Sequence, residues 1–176
     1  IDMLIGFSHT DIGREVAYFL LDRGRRHFAI VRAEDERANR RATAFAAAVM
    51  QRGCREPTVI NIGAHRTLRS GRDALTRLLT EAPDTDAVVC SSDLLALGVM
   101  TQARAQGISI PGDIAVMGFG DVPFLADMVP AISTVRINGA AIGKQAAHFL
   151  IERAEGRSVE PHIVDVGFSI VSRDST

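Results

Sequence analysis

The segment at residues 8–11 carries the residue types of a hydrolase triad. Ser8, His9 and Asp11 offer a hydroxyl, an imidazole and a carboxylate, the groups that serve as nucleophile, base and orienting acid. They crowd four consecutive positions at a predicted strand-to-helix turn, whereas a working triad needs side chains that converge from different directions. We therefore expect no nucleophilic catalysis at this turn.

Other catalytic and cofactor motifs in the sequence are incomplete or absent. The stretch GFGDVP at residues 118–123 resembles a dinucleotide-binding loop, but Pro123 stands where glycine or alanine should open a helix. No P-loop, HExxH or zinc-deaminase pattern occurs, and the histidines are scattered. Cys54 and Cys90 are too few for a disulfide framework or a metal cluster and predict free thiols in a reducing compartment, the cytoplasm. The sequence predicts no cofactor, no metal and no enzyme.

Polar residues gather just after the predicted strands. Open α/β sheets bind ligands at the carboxyl ends of their strands, and a rim of short hydrogen-bonding groups suits a polyhydroxylated ligand. The rim consists of Ser8 and Asp11; Arg32, Glu34 and Asp35; His65 and Arg66; Ser91, Ser92 and Asp93; and Gly120 and Asp121. Each residue alone is also explained as a helix cap or a solvated loop, but together they predict a binding cleft.

The elements that position this rim follow from hydrophobic periodicity. Short apolar runs alternate with longer segments of helical period, the pattern of a doubly wound α/β fold with a parallel sheet. The predicted strands are 3–7, 27–31, 58–62, 87–90, 114–118, 133–137 and 163–166, and the predicted helices are 11–23, 37–52, 70–81, 93–106 and 138–154. Gly24, Gly53 and Gly107 each end a helix, as expected for a left-handed residue at that place.

Length and charge limit what the chain binds. The 176 residues suit about one ordinary domain, and 47% hydrophobic content predicts a real core. Twenty Lys and Arg against 21 Asp and Glu leave a net charge of −1, without the surplus that drives binding to nucleic acid or anionic membranes. No apolar run approaches the length of a membrane span. We expect a small-molecule ligand and no membrane partner.

One region of the chain resembles a known family. Residues 90–156 read CSSDLLALGVMTQARAQGISIPGDIAVMGFGDVPFLADMVPAISTVRINGAAIGKQAAHFLIERAEG. This stretch resembles the effector-binding core of the LacI/GalR transcriptional repressors, whose pattern is A-N-D-x-x-A-x-G, G-x-x-[IV]-P-x-D-[IV]-[AS]-V-x-G-[FY]-D-[DN], P-x-L-T-T-[VI] and x-x-x-G-x-x-A. Upstream, GFSHTDIGREVAYFLLDRGRRHFAIV and RANRRATAFAAAVMQRG also fit. The resemblance covers essentially the whole chain.

The resemblance implies a two-lobed fold like that of periplasmic sugar-binding proteins. On this alignment, residues 1–24 and 138–156 belong to a partial N-terminal lobe, and residues 25–137 and 157–176 form the C-terminal lobe. The family's helix-turn-helix domain lies upstream of this chain, so operator DNA is expected to bind only through that domain. The implied protein is a non-enzymatic repressor with a small-molecule effector. A periplasmic receptor of a transporter shares the fold and is the alternative, against which the free thiols argue.

The resemblance also assigns effector-contacting positions. Asp11, with Ser8 beside it, and Arg41 match effector-binding positions, and Asp93 matches the motif aspartate. Three departures distinguish this chain: Ser92 replaces an asparagine, Gly120 replaces an aspartate that precedes Asp121, and Arg66 falls near an aromatic position. Losing a carboxylate and gaining a guanidinium favours an anionic sugar derivative. With these departures the chain resembles the gluconate-operon repressor branch of the family, and gluconate is the first candidate for the effector.

The chain is also expected to dimerise in the full-length protein. The helix predicted at 93–106 and the loop at 123–128 carry an apolar cluster that we interpret as a homodimer surface. Its members are Leu94, Leu97, Met100, Phe124, Leu125 and Met128. The alternative is that these side chains belong to the core of a single chain.

Overall fold

The computed structural model describes residues 3–63, 65–158 and 160–176. Its helices are α1 (His9–Asp22), α2 (Glu36–Gln51), α3 (Leu68–Glu81), α4 (Asp93–Ala105) and α5 (Gly139–Ala154). Its strands are β1 (Leu4–Gly6), β2 (Phe28–Arg32), β3 (Thr58–Asn61), β4 (Ala87–Cys90), β5 (Ala115–Gly120), β6 (Ser133–Arg136), β7 (Ile163–Asp165) and β8 (Ser169–Val171). A 3-10 helix spans Pro123–Asp127. None of the described helices is long and apolar enough to cross a membrane.

A six-stranded sheet in the order β3-β2-β4-β5-β6-β8 forms the main body. The first five strands pair in parallel, and β8 closes one edge antiparallel to β6. The central strands are short apolar runs because helices cover both faces of the sheet. Their carboxyl ends therefore meet at one edge, where the connections into the helices place the polar rim.

The alternation of side chains along β2 divides the core in two. Ala29 and Val31 point into a cluster with α3 and α4, whereas Phe28 and Ile30 point into a second cluster with α1 and α2. Phe28 and Phe45 meet edge to face with ring centroids 5.4 Å apart. Each face of the sheet is thus covered by one pair of helices.

Glycines let these helix pairs approach closely. A Cβ atom on Gly71 of α3 would lie 2.3 Å from the carbonyl oxygen of Leu95, and one on Gly98 of α4 would lie 2.3 Å from that of Leu68. On the other face, a Cβ atom on Gly13 of α1 would lie 2.3 Å from the carbonyl oxygen of Arg41. A side chain at these positions would push the paired backbones apart.

A small second layer stands beside the main sheet. β1 and β7 form a parallel pair, and α5 lies against β1. No residue of α5 is buried, and its Leu150 and Ile151 are 67% and 56% exposed. Leu4 and Ile163 on the two strands are also exposed. The described residues of this layer form no core of their own.

The predicted α/β class with a parallel-dominated sheet is confirmed. All seven predicted strands and five predicted helices are present, with ends that differ by at most two residues. The 3-10 helix and β8 were not predicted.

The packing of α1 and β7 does not follow the lobe boundary predicted near residue 24. α1 packs on α2 and the main sheet rather than on the small layer, because its apolar stripe inserts into the second core cluster. Conversely, β7 falls within the range expected for the C-terminal lobe, yet it pairs with β1. The division of the intact protein into lobes stays a prediction.

Candidate functional site

Capping side chains fix the helices at the carboxyl edge of the sheet. Ser8 begins α1 and accepts a hydrogen bond from the Asp11 N–H (3.1 Å), while Asp35 begins α2 and accepts one from the Ala38 N–H (2.8 Å). Ser92 begins α4 by accepting from the Leu95 N–H (3.4 Å). Such caps satisfy N–H groups that have no partner within the helix. The predicted site residues Ser8 and Ser92 therefore have structural roles at the rim.

Arg41 is the best-defined cation of the site. Its guanidinium lies over the Phe119 ring, 4.0 Å from the centroid, with one nitrogen 3.0 Å from His9 Nδ1. A second nitrogen donates to the Ser91 carbonyl oxygen at 3.4 Å. The pKa of Arg41 is lowered to about 10, mainly by burial and also by the charges of Arg66 and Arg37, while Asp35 acts in the opposite direction. Arg41 remains charged at neutral pH, with little water to screen it.

Arg66 lies at the rim in an ion pair with the Asp35 carboxylate. Partial burial alone would raise the pKa of Asp35, but the Ala38 N–H and the Arg66 guanidinium outweigh it, so the pKa is lowered. The charges of Arg41 and Arg66 both act on Asp35. The structure thus brings Arg66 to the neighbourhood of Arg41, with a carboxylate between them that the sequence reasoning did not pair with either.

Asp93 is buried and its carboxylate is used internally. One oxygen accepts from the Thr134 hydroxyl at 2.6 Å, and the other accepts from the Val122 N–H at 2.9 Å. Burial raises the pKa of Asp93, which these donors partly offset. Asp93 therefore ties α4 to the connection between β5 and β6. Both oxygens of Asp93 thus already have partners within the chain, and the contact of Asp93 with an effector stays a prediction.

Asp121 is held by two arginines. Its backbone has a φ of 62°, and its carboxylate accepts hydrogen bonds from Arg173 at 2.6 Å and from Arg136. Partial burial would raise the pKa of Asp121, but the two guanidinium groups lower it overall. Gly120, which precedes it, has a φ of 135°. The acidic position is therefore neutralised within the chain.

Asp11, the remaining predicted contact, lies on the first turn of α1 and forms an exposed ion pair with Arg14. The structure does not bring its carboxylate into contact with Arg41 or Arg66. Asp11 is thus available to a ligand, because an exposed ion pair of this kind contributes little and is exchanged at low cost.

Two concave regions lie near the start of α2, and Arg41 lines only the smaller one. A small cavity of about 30 Å³ has Arg41, Ser91, Gly118 and Phe119 in its lining. A wider cleft of about 710 Å³ separates the small layer from the start of α2. Its lining includes Phe7, Ser8, His9, Glu36, Arg37, Arg40, Ile142 and Asp165. The first holds little more than a water molecule, whereas the second has the volume of a small-ligand site.

Sequence reasoning did not identify His9, Arg37 and Arg40 as candidate site residues, although all three line the wider cleft. His9 was considered only as a triad base. Arg37, Arg40 and Arg41 share the first turns of α2, and their spacing of three and four residues could have placed them on adjoining positions of that helix.

The predicted dimer surface is only partly exposed. Leu125 is fully buried and Met100 is 6% exposed, because both pack into the chain's own core. Met100 and Leu125, which were predicted to lie at a dimer surface, therefore belong to the core of a single chain. Leu97 and Met128 are partly buried against that core, whereas Leu94 and Phe124 are 41% and 49% exposed. Only the last two are large apolar side chains in free contact with solvent.

Comparison with known proteins extends this picture. The HTH-type transcriptional regulator GntR of Pseudomonas aeruginosa is 34% identical over 174 residues, which is 98% of this chain and 51% of that protein. The transcription regulator GntR from Chromobacterium violaceum superposes with a TM-score of 0.92 at 32% identity, over 97% of this chain and 64% of that chain. A complex of the transcriptional regulator CelR with cellobiose gives a TM-score of 0.85 at 25% identity, over 99% of this chain and 54% of that chain.

The chain spans about half the length of the curated relatives it matches. Proteins described as LacI-family regulators and as a lactose operon repressor are also similar to it, which confirms the resemblance seen in residues 90–156. The model of the periplasmic binding protein-like domain matches residues 17–176. Because that match takes in nearly all of the main sheet and its helices, the chain belongs to the periplasmic binding protein-like domain family, in the form shared by LacI-type transcriptional regulators.

Proposed function

We propose that this chain is the effector-binding and dimerisation part of a bacterial LacI/GalR-type transcriptional repressor of the cytoplasm, and that its effector is a sugar acid, with gluconate as first candidate. Operator DNA is contacted through a reading head outside this chain. The relatives described as regulators support the first statement. The charges of the cleft support the second.

The observation that carries the proposal is the group of arginines around the half-buried Arg41: Arg37 and Arg40 line the wider cleft, and Arg66 pairs with Asp35. Arg66 and Arg37 both lower the pKa of the half-buried Arg41, with Asp35 acting in the opposite direction. A ligand carboxylate beside Arg41 would relieve the repulsion between these arginines and accept two parallel hydrogen bonds from a guanidinium. A neutral hexose offers neither gain.

The remaining predicted positions take supporting roles in this proposal. Ser8, Ser92 and Asp11 offer oxygen atoms to ligand hydroxyls. Gly120 keeps a carboxylate away from the anion, and Asp93 and Asp121 hold the surrounding connection in place. Arg66 strengthens binding by turning from Asp35 to the ligand.

Effector binding would regulate the protein through differential affinity. A ligand that binds one arrangement of the cleft better than another shifts the population toward that arrangement, and only that difference in affinity can release or engage DNA. The change from one arrangement to the other would occur at the cleft between α2 and the small layer.

Calorimetry on the full-length protein tests the proposal. Gluconate should bind more tightly than glucose, ribose and phosphorylated sugars. Arg41→Ala should weaken gluconate binding at least about tenfold, which corresponds to about 1.4 kcal/mol. Arg66→Ala should weaken it less, because Arg66 must first leave Asp35. Arg69→Ala is the matched control, since its side chain is 89% exposed on α3. Tightest binding of a neutral sugar, or an unchanged affinity in both Arg41 and Arg66 variants, would refute the anionic effector.

A further inference from the structure

His9 occupies the wall of the cleft and contacts the central cation directly. It is the first residue of α1, and its ring meets the Phe7 ring edge to face at a centroid distance of 4.8 Å. Its Nδ1 lies 3.0 Å from a guanidinium nitrogen of Arg41. Arg41 in turn lies over Phe119. The guanidinium is therefore fixed by an aromatic face on one side and by the imidazole on another.

The chemistry of this contact defines the state of the ring. A guanidinium has only donors, so Nδ1 of His9 must accept, and the ring proton must reside on Nε2. Protonation of Nδ1 would replace the acceptor by a second donor and break the contact. The surroundings oppose that change: burial, Arg41, Arg37 and Arg40 lower the pKa of His9, and Asp35 is the carboxylate that raises it.

We propose that His9 is a positioning residue for anion recognition, whose neutral ring accepts from Arg41 through Nδ1 and fixes the position of its guanidinium. This inference rests on the proposed function, because it names the residue that makes Arg41 competent to bind the effector. His9 itself donates nothing to the ligand carboxylate. Arg41 without it would still be a cation, but one that rotates among several conformers and loses affinity on being ordered.

The first experiment needs no ligand. Nitrogen-15 NMR of histidine in the full-length protein should show His9 as the Nε2–H form at neutral pH. In Arg41→Met, which removes the charge but keeps an aliphatic side chain, the pKa of His9 should rise, because a repelling cation has gone. A proton on Nδ1, or a His9 pKa that does not change in Arg41→Met, would overturn the inference whether or not gluconate binds.

The second experiment measures gluconate affinity in a pair of variants of similar size. His9→Asn keeps an oxygen acceptor near the place of Nδ1, whereas His9→Leu has none. His9→Leu should weaken gluconate binding about tenfold and His9→Asn less than about threefold. In an Arg41→Met background the two variants should bind equally, because a residue that acts through Arg41 has no effect once Arg41 is removed.

Equal losses in His9→Asn and His9→Leu, or a loss that persists in Arg41→Met, would mean that His9 does not act through Arg41. If gluconate fails to bind the parent protein, the proposed function fails. The NMR measurement then still decides whether His9 positions Arg41.

Discussion

Gly120 is held in a backbone conformation that suits glycine. Its φ of 135° is rarely adopted by residues with a side chain, and a Cβ atom there would lie 3.1 Å from Asp93 Oδ2. Gly120→Ala should therefore reduce the free energy of unfolding by about 1–3 kcal/mol.

Gly120→Asp should cost more than Gly120→Ala, because it adds a carboxylate beside a buried one. Urea unfolding at neutral pH measures both variants, and the difference between them should shrink in acid as the carboxyls are protonated. An aspartate variant as stable as the alanine variant at neutral pH would show that the two carboxylates do not interact.

Asp121 adds a dependence of stability on pH. Its folded pKa is lowered, so it stabilises the protein above the ordinary aspartate value of about 3.9, and this contribution is lost as the pH falls through the lower folded value. Asp121→Asn should lower the free energy of unfolding at pH 7 by about 1–3 kcal/mol, as expected for a charged hydrogen bond to nearly buried Arg173.

The test compares Asp121→Asn with the parent in thermal unfolding from pH 7 to about pH 3. The stability difference should narrow across the acid limb. A constant difference over this range would contradict the predicted titration.

The sequence predicted the contacts of individual side chains less well than it predicted the helices and strands. Strand ends and caps are local signals, and they placed Ser8, Ser92 and Asp121 at the edge of the sheet where these residues lie. Arg41 was placed by the family resemblance alone. The pairing of Arg66 with Asp35 was not foreseen, since an ion pair across two loops depends on how those loops fold. The same holds for Arg173, whose contact with Asp121 joins positions distant in sequence.

At the scale of elements, the close contact of α3 with α4 predicts an unusual pair of outcomes. Gly→Ala in a helix normally stabilises by about 1 kcal/mol through helix propensity. Gly98→Ala should instead destabilise by several kcal/mol, because its Cβ would collide with the Leu68 backbone. Gly143→Ala on α5 is the control and should stabilise, since no residue that the structure describes lies within 4 Å of its Cβ. The measurement is the midpoint of thermal unfolding.

If Gly98→Ala proved as stabilising as Gly143→Ala, the two helices would not be packed as closely as described. The helices and strands themselves were predicted well, because apolar periodicity and the glycines that end helices are features of the local sequence. The sequence did not predict which layer α1 packs against, because an apolar stripe of helical period fits either layer.

At the scale of the whole molecule, two exposed side chains remain as candidates for self-association. Leu94→Asp and Phe124→Ser should each shift the full-length protein from dimer toward monomer in sedimentation, because burying a charge or losing an aromatic contact weakens an apolar interface. Met50→Asp is the control, since Met50 is 49% exposed on the opposite helix pair. A dimer unaffected by either change would place the interface elsewhere.

The small layer has a consequence for the order in which the chain folds. β1 pairs with β7 across almost the whole sequence, with three residues on each strand, so forming this pair first would close a very long loop for little gain. Once α1 and β8 are in place on the main sheet, the two strands are tethered close together, because β1 precedes α1 and β7 precedes β8 by only a few residues. In residues 1–176 on their own, this layer should therefore fold last and open first. Its amide protons, such as those of Leu4 and Val166, should exchange with solvent long before those of β2. The wall of the cleft that carries His9 should then join a part of the chain that opens early to a part that opens late.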